Sequence, residues 1–184
     1  VGTMSESAAR DMQALVYTAN ETVEIRREPA PTATNDEVVV AIEAVGICGS
    51  DMHAYLGHDA RRVPPLILGH EAAGRVIEGP NVGMRAVLNP LIACGRCEDC
   101  QSGRQNLCPE RDLIGMYRPG AFAERIAIPE RNLIPIPEGM DSAHAALTEP
   151  AATGVHAVNR AAKASERPLC DSRCLVIGGG SVGL

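Results

Sequence analysis

The sequence predicts a mainly β, α+β protein: a small barrel of short strands carrying a cysteine lobe, then a helical connection and the first strand of an α/β unit. Three observations lead there. Short β-branched segments separated by turn residues recur through the first two thirds of the chain, as in a small barrel. A run of closely spaced cysteines interrupts them in a segment with few apolar positions. After Pro137 the texture changes to an alanine-rich stretch and then to one apolar run that ends in glycines. A length of 184 residues gives room for one core and part of a second. The expected division is 12–140 for the barrel, 141–172 for the helical connection and 173–184 for the start of the second unit.

Ala14 to Val16, Val23 to Ile25 and Val38 to Ala44 read as strands, broken by Pro29, Pro31 and the Asn35-Asp36 turn. Further strands are expected at Gly74 to Ile77, Ala86 to Asn89 and Phe122 to Ile128. Asp141 or Ser142 can cap a helical stretch running to about Lys163 with a break at Pro150. Cys174 to Ile177 reads as a buried parallel strand leading into Gly178-Gly179-Gly180-Ser181-Val182-Gly183.

Composition removes several functions. Apolar residues make up 45% and charged residues 22%, which suits a packed core rather than disorder. Aromatics are only 2%, so stacking platforms for bases are absent, and a net charge of -6 offers no basic stripe for phosphates. No nucleic-acid partner is expected. No run reaches the roughly 18 apolar residues of a membrane span, and the amino end lacks a signal-peptide core. A cytoplasmic protein with no membrane partner is therefore expected, with Val1-Gly2-Thr3 set aside as a remnant. Seven cysteines in a reducing compartment read as metal ligands or buried thiols rather than disulfides.

Cys94, Cys97, Cys100 and Cys108 have the spacing C-x2-C-x2-C-x7-C, which lets four thiolates wrap one tetrahedral Zn²⁺. Such a closed site is structural and supplies folding free energy to a lobe without its own core. Disulfides fit poorly, because cysteines at steps of three cannot pair without strain. Upstream stand Gly46-Ile47-Cys48-Gly49-Ser50-Asp51-Met52-His53 and Gly69-His70-Glu71-Ala72-Ala73-Gly74, and downstream Leu147-Thr148-Glu149-Pro150. A thiolate, an imidazole and a carboxylate suit a catalytic Zn²⁺, which keeps one position open. Taken singly, each of these residues reads more simply as structural: a satisfied histidine, a helix-end charge, a small buried thiol.

The run Asn89-Pro90-Leu91-Ile92-Ala93-Cys94-Gly95-Arg96-Cys97 through Asn106-Leu107-Cys108, with the three flanking segments, resembles the zinc-dependent medium-chain alcohol dehydrogenases. Within them it resembles the polyol (sorbitol), threonine and secondary-alcohol branch. The resemblance implies a GroES-like barrel followed by a Rossmann domain, truncated here, and two zinc ions per chain, one structural and one catalytic. It implies Cys48, His70 and Glu149 as catalytic-zinc ligands, with Glu71 a mobile carboxylate that can exchange onto the metal. Ser50 and His53 match relay positions that carry the alcohol's proton toward solvent. Glu149 in place of a second cysteine ligand favours that branch over the primary-alcohol enzymes, which stay as an alternative.

Gly178, Gly180 and Gly183 match the dinucleotide fingerprint G-x-G-x-x-G, whose glycines bring backbone N–H groups close to a pyrophosphate. The reading is an oxidoreductase moving hydride between an alcohol or polyol substrate and NAD or NADP, homo-oligomeric when complete, of which this chain is an incomplete and inactive part. A non-catalytic zinc-stabilised β module is the competing class: it would need the lobe but not Cys48, His70 and Glu149. A zinc-free reductase is disfavoured, because such relatives lack the lobe. One departure stands out. Val76 to Val87 is shorter than the family's usual loop, with Met84 where Asp is usual, which puts local barrel closure in question. His58, His144, His156, Cys170 and Cys174 are assigned no chemistry.

Overall fold

The alternation of β1 (Asp11–Ala19) turns Met12, Ala14 and Val16 inward and leaves Asp11, Gln13 and Leu15 outward, the period-two pattern of a strand with one wet face. The computed structural model describes residues 11–180, 182 and 183. Val1-Gly2-Thr3, Ser181 and Leu184 lie outside the described residues. A tight turn with Glu21 at φ 58° returns β1 into β2 (Thr22–Pro29), and β4 (Leu66–Ile67) adds to the other edge of β1, giving the order β2-β1-β4.

The second sheet has the order β10-β6-β5-β3-β9, built from β3 (Glu37–Gly46), β5 (Glu71–Glu78), β6 (Arg85–Leu88), β9 (Arg125–Pro129) and β10 (Leu133–Pro135). All its pairings are antiparallel. Val38, Val40, Val76, Leu88, Ile126 and Ile128 fill the space it encloses, so aliphatic residues carry the core of a chain poor in aromatics. Phe122 to Glu124, expected as strand, forms the corner between the sheets instead. Leu15 N donates to Phe122 O at 2.8 Å, and Ile42 N to Glu124 O at 3.0 Å.

The shortened segment does not break the barrel. Gly79 to Met84 makes a compact turn in which Gly83 N donates to Val76 O at 2.8 Å, and Arg75 pairs directly with Arg85. β7 (Leu91–Ile92) and β8 (Asp112–Leu113) pair at the neck of the cysteine lobe, which holds the single turn α2 (Glu98–Gln101). Directly after β3 stands α1 (Gly49–Tyr55), a short helix that the strand pattern did not predict.

Asp141 caps α3 (Ser142–Ala146), its Oδ1 accepting from His144 N at 2.8 Å, as expected for the start of the helical stretch. The break falls at Leu147, ahead of Pro150, and α4 (Thr148–Ala164) begins afresh. A single helix through this point would drive the Pro150 ring into the carbonyl of Ala146, whereas in the first turn of a new helix its missing N–H has no partner to lose. Ser142 Oγ donates to Glu43 Oε2 at 2.5 Å, and Arg85 Nη2 donates to Ser142 Oγ at 2.8 Å, which pins α3 to the sheet.

Cys174 to Ile177 is not a strand, contrary to the sequence expectation. Leu175, Val176 and Ile177 are 84%, 64% and 92% exposed. A parallel strand takes its hydrogen bonds and its burial from neighbours on both sides, and among the described residues none lies beside this run. Nor is any helix among the described residues long and apolar enough to cross a membrane.

Candidate functional site

Two groups of metal-ligating side chains converge. In the lobe the ligand atoms of Cys94, Cys97, Cys100 and Cys108 all lie within 4.8 Å of one another. Local backbone turns build this cluster: Cys94 N points at Cys108 Sγ at 3.4 Å, and Cys97, capping α2, accepts from Cys100 N at 3.5 Å. None of the seven cysteines is in a disulfide. N–H groups of Arg96 and Cys97 pull the Cys94 thiol down to about 6, while burial pushes Cys100 up to about 12. Four sulfurs at this separation cannot all carry charge unless a cation sits among them, and that donor set fits a closed tetrahedral Zn²⁺.

The second group is made by strand register. β3 and β5 pair so that Gly46 faces Glu71 and Val45 faces Ala72, which sets the residue two past Gly46 beside the residue before Glu71. Those residues are Cys48 and His70. The ligand atoms of Cys48, His70 and Glu71 lie within 4.8 Å of one another, with His70 and Glu71 buried. Glycine at position 46 leaves room for the Glu71 carboxylate, since a Cβ there would stand 2.4 Å from Glu71 Oε2 and push it aside. His70 Nδ1 is buried without a hydrogen-bond partner. A half-buried thiol beside a buried carboxylate and a buried imidazole makes a mixed donor set that fits a bound cation.

Asp51, to which the sequence reading gave no role, organises this corner. It is 3% exposed, and its carboxylate accepts from Cys48 N at 3.0 Å and from Gly69 N at 3.3 Å. Oδ1 stands 3.6 Å from His70 Nδ1. Burial works against ionisation of Asp51, but His70 and the two backbone N–H groups outweigh it and keep the carboxyl below its ordinary value. Burial likewise works against His70 protonation, yet Asp51, then Glu149 and Glu71, hold its value above the ordinary one. The signal was present in the sequence: Asp51 lies three residues after Cys48, the spacing of a capping box at the start of α1.

Glu149 stands outside the close set, half-buried in the first turn of α4. Burial and then the nearby Glu71 charge push its carboxyl up, opposed by His70. It lines a cleft of about 480 Å³ with Leu88, Pro90, Leu113 and His156, so His156 faces a cleft that the sequence reading did not connect it with. Ser50 is half-buried on α1, where its Oγ accepts from Arg62 Nη2 at 3.2 Å, and His53 is exposed one turn on. His58, His144 and His156 are exposed, as are Cys170 and Cys174. At the carboxyl end Gly178 has φ 103°, and a Cβ on Gly183 would meet Gly178 O at 2.1 Å, so the 178–183 turn closes only with glycine.

L-galactonate-5-dehydrogenase of Escherichia coli K12 is 36% identical over 86% of this chain and 47% of its own length. Sorbitol dehydrogenase of Bacillus subtilis is 36% identical over 98% of this chain and 53% of its own. The chain thus spans about half the length of the curated relatives it matches. Among solved structures, the NADH complex of a protein from Escherichia coli CFT073 described as a short chain alcohol dehydrogenase superposes with a TM-score of 0.77 at 29% identity, covering 82% of this chain and 46% of that one. The model of the alcohol dehydrogenase GroES-like domain matches residues 34–138, more than half of the 184, and takes in the whole five-stranded sheet, Cys48, His70, Glu71 and the cysteine lobe. The chain belongs to the alcohol dehydrogenase GroES-like domain family.

Proposed function

We propose that this chain supplies the metal- and substrate-binding part of a zinc-dependent oxidoreductase that moves hydride between a secondary alcohol or polyol and NAD or NADP. The observation that carries the reading is the convergence of Cys48, His70 and Glu71 within 4.8 Å, from the ends of two paired strands. A module stabilised only by zinc in its lobe has no use for a second, mixed donor set. Cys48 and His70 are the constant ligands, and Glu71 and Glu149 the carboxylates that share the remaining protein position. When bound, zinc supplies a Lewis acid that makes an alcohol hydroxyl easier to deprotonate.

The chain's own residues do the rest. Asp51 orients His70, and Glu71 folds over Gly46 beside the thiol. Ser50 takes the alcohol proton and passes it to His53, which sits three residues on along the same helix face and is exposed to water. The Gly178, Gly180 and Gly183 turn receives the cofactor's phosphates, and the exposed Leu175 to Ile177 run becomes a covered strand in the cofactor domain. The relatives' names support a polyol or related secondary alcohol as substrate. Unpaired thiols support a reducing, cytoplasmic setting. A homo-oligomer is the expected assembly.

The test compares the purified chain with one extended past Leu184. Both should bind zinc, and only the extended form should reduce NAD or NADP with an alcohol, because hydride transfer needs the nicotinamide held against the substrate. Equal activity in the two forms overturns the proposed division of labour. At most one zinc per chain, not lost on removing Cys48 and His70, would favour the non-catalytic module.

A further inference from the structure

Arg62 is among the most buried polar residues described, its side chain 1% exposed, and each part of its guanidinium is used. Nε donates to Gly115 O at 2.9 Å, Nη1 to Asp59 Oδ2 at 2.5 Å, and Nη2 to Ser50 Oγ at 3.2 Å. A buried charge is tolerated only when paired, and Asp59 provides the pairing: Arg61 first, and then Arg62, keep its carboxyl ionised well below the usual range. The third contact is not needed for charge balance. It reaches Ser50, the one serine of α1, two residues after Cys48.

We propose that Arg62 is a positioning residue that fixes the direction of the Ser50 hydroxyl for proton transfer, an inference that rests on the relay role of Ser50 given above. A guanidinium carries donors and no acceptor, so Ser50 Oγ must accept from it. One lone pair of the hydroxyl is thereby occupied and its hydrogen cannot point at Arg62. What remains is one lone pair to take a proton from the alcohol hydroxyl and one hydrogen to pass on, with His53 one turn further along α1. Arg62 is itself held from behind. Gly115, which accepts from Nε, packs so closely on Gly69 that a Cβ would lie 2.9 Å from Gly69 O, and Gly69 precedes His70. The guanidinium therefore ties the relay helix to the loop that backs the metal-ligand strand.

The experiment uses Ser50→Ala, Arg62→Lys and the double variant, each checked for two bound zinc ions and an unchanged unfolding temperature. Arg62→Lys keeps the charge but loses the fork, which guards against a misfolded Arg62→Ala. In the zinc-loaded chain, Arg62 guanidinium protons should be protected from exchange, and Ser50→Ala should speed the Nη2 exchange about tenfold. In the form extended past Leu184, Arg62→Lys should lower kcat about tenfold with little change in KM, and the double variant should be no slower than Ser50→Ala. Losses that multiply in the double variant, or an Nη2 exchange rate unmoved by Ser50→Ala, overturn the proposal alone. Full turnover by Ser50→Ala overturns the relay reading and the proposal with it.

Discussion

Asp51 Oδ1 stands 3.6 Å from Nδ1 of His70, the buried side-chain nitrogen left without a hydrogen-bond partner among the described residues. A cation on one imidazole nitrogen acidifies the N–H at the other, so a carboxylate at this distance is placed to hold both the tautomer and the ring plane. Asp51 also fixes Cys48 and Gly69 through their backbone N–H groups, and so it braces two ligand segments at once.

Asp51→Asn should therefore weaken zinc binding at the mixed site by about 10–100-fold while leaving the lobe zinc in place. Competition with a chromophoric chelator on the purified chain measures this. Two equally tight zinc ions in the variant would remove Asp51 from the site.

Intact chains should carry two zinc ions, and Cys48→Ala with His70→Ala should lose one of them. Elemental analysis of folded protein decides it. At most one ion before substitution, with no loss after it, would leave only the closed lobe.

Cys97→Ser and Cys100→Ser should act mainly on stability. The lobe between β7 and β8 has two buried cysteines, Cys100 and Cys108, and little else to bury, so metal binding does the work of a core. A loss of roughly 3 kcal/mol in a domain of this size lowers Tm by about 10 °C. Unchanged thermal unfolding in both variants would contradict it.

Glu43 should make the docking of α3 sensitive to acid. Its hydrogen bond from Ser142, and then Arg85 and Arg75, against a burial cost, hold it below the ordinary glutamate value of 4.5. A depressed carboxyl contributes stability that is fully present above 4.5 and is lost as pH falls through its lower folded value. Glu43→Gln should be less stable than the parent near neutrality and should lose less stability on acidification below pH 4.5. Parallel stability curves for the two would exclude Glu43 as the source.

Much of the fold was legible because its determinants are local. The alternation in β1, the β-branched run of β3, the cap at Asp141 and the cysteine spacing each specify geometry within a few residues. Two local expectations shifted for reasons that are themselves physical. The helix break moved from Pro150 to Leu147 because a proline excludes the turn before it, and Phe122 to Glu124 became a corner because its partners belong to two different sheets.

By itself, then, the sequence determined the barrel strands and the four-cysteine lobe, whose ligands all lie between positions 94 and 108 and meet through single turns of backbone. Only tertiary structure decided that Cys48, His70 and Glu71 form one set with Asp51 behind them, that Glu149 stands beside that set, and that Arg62 reaches Ser50. Those contacts depend on the register of β3 against β5 and on loops that cross between sheets, which a residue pattern does not encode. The same reason explains Cys174 to Ile177: a helix or a cysteine knuckle satisfies its own backbone, whereas a strand exists only where another strand supplies the missing half of its hydrogen bonds.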